Sequence, residues 1–190
     1  MAGQKREARL RAGGPAIHVS LCRQKKDVDT RHKAGHDDRY GMSIPFQLRP
    51  YRASDEDGAI ALWQATWQQA YPEIDFAARV SWWRERWRNE LVPGADIIVA
   101  EQSGELAGFV TIDAAGYLDQ LVVAPAHWGG DIANALMLEA KRLSPSGITL
   151  LVNADNSRAI RFYARNGFAH AGEDVNPISG RPVKRMEWRP

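Results

Sequence analysis

Apolar residues recur along this chain with two periods, and the switches between them mark its elements. Phe46 and Leu48 alternate with polar neighbours up to Pro50 and Tyr51, which predicts a first strand. Ile60, Trp63 and Trp67 then share one helical stripe. Ser54 is the expected N-cap, with Asp55, Glu56 and Asp57 in the favourable first turn, and Tyr71-Pro72 ends the helix. Phe76, Val80, Trp83 and Trp87 fall at steps of four, three and four, so a second helix is predicted up to Pro93-Gly94. Residues 97–100, 106–112 and 117–123 read as a meander of three strands, with Gly108 at a bulge. Pro125 closes the third strand, Gly129 and Gly130 turn the chain, and Ile132, Ala133, Leu136, Met137 and Ala140 recur at helical spacing. The apolar run 148–152 should return beside 117–123 as a parallel neighbour through a right-handed crossover. A last helix is expected over 157–165, with Asn156 as N-cap and Gly167 as the residue that closes it. Residues 168–171 and 183–188 complete the pattern as antiparallel strands. The class is therefore α/β, a mixed and mostly antiparallel sheet with helices on both faces.

The first 42 residues are outside this pattern. They carry 10 Lys/Arg against 5 Asp/Glu, whereas residues 43–190 carry 15 against 18. Residues 1–42 read as a disordered extension, an Arg-rich targeting peptide, or translation upstream of a true start at Met42. One domain over 43–190 is expected, and its slight negative balance argues against a nucleic-acid surface. No apolar run reaches the ~20 residues of a bilayer span, and no secretory signal is present. The single cysteine, Cys22, suits a reducing, cytoplasmic setting.

Candidate chemistry begins at the glycine turn. A helix that starts on Gly129 and Gly130 presents unpaired N–H groups and the positive end of its dipole, a fit for phosphate. An ordinary turn would look the same. The downstream stretch NSRAIRFYARNGF, 156–168, adds Asn156, Ala159, the pair Phe162-Tyr163 and the closing Gly167-Phe168. Together the two segments resemble the GNAT superfamily of N-acetyltransferases, over roughly residues 46–188.

The resemblance implies a GNAT-like acyl-CoA N-acyltransferase fold, with acetyl-CoA as acyl donor. Leu121, Val122 and Val123 would pair with the pantetheine amides. Gly129, Gly130, Asp131, Ile132, Ala133 and Asn134 would cradle the pyrophosphate, with Asn156 nearby. Tyr163 matches the tyrosine that protonates the departing thiolate; a phenol near 10 can serve a thiol near 8.5. Trp67, Tyr71 and Trp82 lie in the helices that wall the acceptor pocket in this family. The acceptor would be an amine, small molecule or peptide, attacking directly; no metal is implied, and a homodimer is left open. Asp119, Glu73 and Glu187 are base candidates by type only, and His127 reads as part of the loop.

The phosphate loop departs from the family pattern of Arg or Gln, two residues, Gly, one residue, then Gly or Ala. Those positions hold Trp128, Asp131 and Ala133. Trp128 brings no charge, and Asp131 brings the wrong one. A like-charge pair at about 4 Å costs roughly 1 kcal/mol in water and about 4 at an effective dielectric near 20. A second expectation therefore stands beside the enzyme: a non-catalytic relative that binds a ligand or partner. A third, nucleic-acid binding through residues 1–41, would show steep salt dependence.

Overall fold

The computed structural model describes residues 45–176 and 179–190. The expectations for residues 1–42 and Cys22 lie outside the described residues. In chain order the elements are β1 Gln47–Pro50, α1 Glu56–Ala70, α2 Val80–Arg86, a π-helical turn Trp87–Leu91, α3 Val92–Gly94, β2 Ala95–Gln102 and β3 Glu105–Asp113. Then come β4 Leu118–Val123, α4 Ile132–Leu143, β5 Ile148–Asn153, α5 Ser157–Arg165, β6 Ala169–Val175 and β7 Pro182–Trp188.

The strands form two antiparallel sheets, ordered β1-β2-β3-β4 and β5-β7-β6. Among the described residues one parallel bridge joins them, Tyr117 to Thr149, where Thr149 N–H donates to Gly116 O at 2.9 Å. The expected parallel pairing of 117–123 with 148–152 is thus confined to the starts of β4 and β5. Beyond it the two strands belong to separate sheets and leave a wedge between them. Gly116 fits this apex because its φ is +79° and a Cβ would lie 2.5 Å from Gly147 O.

Alternation along the first sheet divides the core into two layers. Ile97, Val99, Phe109 and Val122 face α1 and α2, where Trp63, Trp67, Phe76, Trp83 and Trp87 are buried. Ile98, Ala100, Val110, Leu121 and Val123 face α4 and α5. On the first side Trp63 stacks on Trp83 with centroids 4.6 Å apart. On the second, α4 sits close enough to β3 that a Cβ on Gly108 would meet Val122 O at 2.9 Å and Leu136 Cδ1 at 3.0 Å. The predicted bulge is present next to this glycine, since Ala100 pairs with Gly108 and Glu101 with Leu106.

One cap differs from expectation. Ser54 lies inside a 3-10 turn, Ala53–Asp55, that precedes α1. The side chain engaged there is Asp55, whose carboxylate accepts from Arg52 N–H at 2.7 Å and from both terminal nitrogens of Arg49. Arg49 holds the Asp55 carboxyl below its usual range. The C-terminal cap of α5 is as predicted: Phe168 N–H donates to Tyr163 O, Gly167 N–H to Ala164 O, and Gly167 has φ +81°.

Candidate active site

The wedge opens toward the C-terminal ends of β4 and β5. Ala124 N–H donates to Ala107 O across the sheet, so by strand alternation the polar backbone groups of Val123 and Leu121 point to the open edge, whereas those of Val122 face β3, contrary to expectation. Side chains confirm this for Val123, whose carbonyl accepts from Trp128 Nε1 at 2.8 Å and from Thr66 Oγ1 at 3.3 Å. Trp128, at the position expected to hold Arg or Gln, thus fastens the loop to the strand end. The guanidinium of Arg158, in the first turn of α5, lies 5.8 Å from the Trp128 ring. Trp128 and Arg158 together reach across the mouth of the wedge.

Gly129, Gly130, Asp131 and Asn134 are exposed at the start of α4, while Ile132 and Ala133 are buried. Gly129 has φ +87°, and a Cβ there would meet open space. Asp131 takes the N-cap position, but its carboxylate makes no cap bond to the first N–H groups of α4. These features, with the open edge of β4, fit a phosphate-bearing ligand with an amide arm. Asn156 is an N-cap, accepting from Ala159 N–H at 3.0 Å.

Tyr163 is wholly buried in the core layer of α4 and α5, between Phe162 and Phe168. Its hydroxyl has no hydrogen-bond partner among the described residues. Burial raises its pKa well above 10, and the nearby phenol of Tyr117 raises it further. Tyr117 stands at the apex of the wedge, and its own pKa is raised by burial and by Asp119.

The acceptor-side residues divide by position. Trp67 is wholly buried and stacks beneath Tyr71 with centroids 5.8 Å apart. Tyr71, at the end of α1, is half-buried and accepts from Asn153 Nδ2 at 2.9 Å, linking α1 to the end of β5. Trp82 is half-buried against the tryptophan layer, 6.1 Å from Trp83. The base candidates are scattered. Asp119 is the extra residue of a bulge in β4, opposite Thr111–Ile112, and its carboxylate meets buried Arg86 at 2.8 Å. Burial pulls the Arg86 pKa down, but Asp119 and Glu90 outweigh it. Glu187 pairs with Arg189 at 3.2 Å and Glu73 with Arg181 at 3.5 Å. His127 lies in the 3-10 turn Pro125–His127.

Sequence reasoning missed Thr66, Asn153, Arg158 and Arg181. Each reaches the site through a contact with a residue far away in the chain, and periodicity carries no signal for such contacts. Only Arg158 was locally detectable, because it sits two residues after Asn156 in the recognised motif.

The chain is 30% identical over 151 residues to a mycothiol acetyltransferase of Kineococcus radiotolerans, covering 73% of this chain and 48% of that protein. The chain therefore spans about half the length of that relative. It is 27% identical over 138 residues to the peptidyl-lysine N-acetyltransferase YjaB of Salmonella typhimurium, covering 72% of this chain and 92% of the relative. Among solved structures, a PaiA N-acetyltransferase from Thermoplasma acidophilum in complex with coenzyme A has a TM-score of 0.61. It is 20% identical and covers 77% of this chain and 100% of its own; at that identity the likeness shows the fold. The family model for the acetyltransferase (GNAT) family matches residues 57–168, and the chain belongs to that family.

Proposed function

We propose that the protein transfers an acetyl group from acetyl-CoA to a primary amine by direct attack, without an acyl-enzyme. The observation that carries this reading is the wedge itself: an open β4 edge and an uncapped α4 start at its mouth, and the buried, unpartnered phenol of Tyr163 in the layer behind it. Acetyl-CoA supplies an activated thioester. The backbone of Leu121 and Val123 would align the pantetheine arm, and the N–H groups of Ile132, Ala133 and Asn134 would hold the pyrophosphate. Tyr163, kept protonated by burial, would give its proton to the departing thiolate, while the acylated nitrogen loses a proton to water in the open wedge and so restores the phenol. Tyr71 and Trp82 would border the acceptor, with Trp67 backing Tyr71. Names that refer to peptidyl-lysine among the relatives favour an amine nucleophile.

A rival reading, a GNAT-like binding protein without turnover, is favoured by the bond from Trp128 to Val123 O, which claims a carbonyl on the open edge. Calorimetry with acetyl-CoA, paired with thiol release over a panel of primary amines, decides. Binding with amine-dependent thiol release is expected. Binding without release with any amine would favour the rival. Absence of binding at millimolar acetyl-CoA would end the transferase reading.

A further inference from the structure

On the α1 side, the rim of the wedge carries a small cation site that the protein fills with its own side chain. The ring of Tyr71 is held flat by Trp67 below it and by the bond from Asn153 to its hydroxyl. The Arg181 guanidinium, from the segment before β7, lies 5.1 Å from the centroid of that ring. Glu73 approaches it at 3.5 Å and Asp155 at 3.9 Å. An aromatic face flanked by two carboxylates is a general solution for binding ammonium or guanidinium. The grip on Arg181 is weak: both ion pairs are long, and the side chains of Glu73 and Asp155 are 59% and 65% exposed. Exposed pairs of this kind contribute little, so another cation can displace the guanidinium.

We infer that Arg181 stands in for a positive group of the acceptor, and that the preferred acceptor carries a second cation besides the amine that reacts. This inference rests on the transferase reading above. The second charge follows from proton chemistry. An amine must be neutral to attack a thioester, whereas carboxylates beside an ammonium hold its proton on. The rim therefore suits a group that stays charged while its neighbour reacts. A diamine and a peptide with two basic side chains share this chemistry. When such an acceptor enters, Arg181 swings out to solvent, and Tyr71, Glu73 and Asp155 take the second cation.

The test uses the full chain and compares pentylamine, 1,5-diaminopentane and a lysyl-lysine peptide, by thiol release with acetyl-CoA and by calorimetry without it. The dications are expected to exceed pentylamine in kcat/KM by about tenfold or more, through KM. Arg181→Ala should tighten the dications by about threefold to tenfold more than it tightens pentylamine, from contacts of this strength. Glu73→Gln with Asp155→Asn should erase the difference in KM between dication and monoamine. Better use of the diamine or of the peptide tells which source is natural, and either supports the inference. Equal KM for pentylamine and the dications, or no gain from Arg181→Ala, would overturn it. If no amine is turned over, calorimetry still separates the two ideas. Dication binding that Arg181→Ala strengthens upholds the rim site while the transferase reading fails, and no binding of either dication sinks the rim site itself.

Discussion

Tyr163→Phe should make this protein more stable and far slower. The Tyr163 hydroxyl is fully buried and has no partner among the described residues. A buried polar group left unsatisfied costs about 1–3 kcal/mol. Replacing it by hydrogen removes that cost. The void left by one oxygen returns only a few tenths of a kcal/mol, at about 24 cal/mol per Å³. A net gain of about 1–2 kcal/mol is expected. For a chain of 190 residues that is a rise in Tm of roughly 2–8 °C. If the same hydroxyl supplies the proton to the leaving thiolate, kcat should fall by about 10²- to 10⁴-fold. Thermal unfolding by calorimetry and steady-state thiol release on one preparation measure both quantities. A lowered Tm would show that the hydroxyl has a partner in solution and would refute the reasoning on stability. A raised Tm with unchanged kcat would leave Tyr163 as packing and remove it from the chemistry.

Gly116→Ala should lower Tm by roughly 5–15 °C, since the apex joins a φ of +79° to a backbone oxygen 2.5 Å from the new Cβ, about 2–4 kcal/mol in all. Gly104→Ala, with φ +83° and open space around it, should cost only about 1 kcal/mol in the same melt. Asp119→Ala should destabilise by about 3 kcal/mol in urea unfolding, because Arg86 loses its buried carboxylate and keeps Glu90, 46% exposed, and the Trp83 ring. Arg86→Met combined with Asp119→Leu should recover most of that loss. Burial raises the pKa of Tyr51, Tyr71, Tyr117 and Tyr163. The unfolded chain therefore releases these phenolic protons first, near pH 10, and binds fewer protons than the fold. Their contribution to stability is complete below about pH 10 and should decline above it, by up to about 1.4 kcal/mol per pH unit for each phenol. Urea titrations between pH 8 and 11 would show the decline, with a shallower slope in Tyr163→Phe.

Local signals carried furthest in α5. Asn156 caps it, Gly167 closes it, and the span Ser157–Arg165 matches the expected 157–165, because both caps are short-range bonds that residue type alone dictates. The strongest stripes were equally legible: Trp63, Trp67, Trp83 and Trp87 all lie in the core where helical spacing put them. The α1 start was misread because Asp55 answers to Arg49, in the strand before it, as well as to Arg52. Acid content at a helix start looks the same whether Ser54 caps it or not.

The same limit explains why the wedge itself was only half visible. Two apolar strands joined by a crossover helix predict a parallel pair, and nothing in 117–123 or 148–152 says where the pair parts. Past the bridge other groups take the β4 side: Asp119 bulges out of β4 toward Arg86, and Thr66 and Trp128 share the Val123 carbonyl. Each competitor comes from a different part of the chain. The loop shows this in one residue. Read as a motif, Trp128 is a missing Arg or Gln and counts only as a loss. In the fold its indole N–H ties the loop to β4, and its ring faces Arg158. The charge absent from the loop thus stands across the mouth on α5, while Asp131, the apparent intruder, leaves the N–H groups of α4 alone. A departure from a family pattern is therefore judged by what the odd residue touches, and here Trp128 bonds to β4 while Asp131 makes no cap bond to α4.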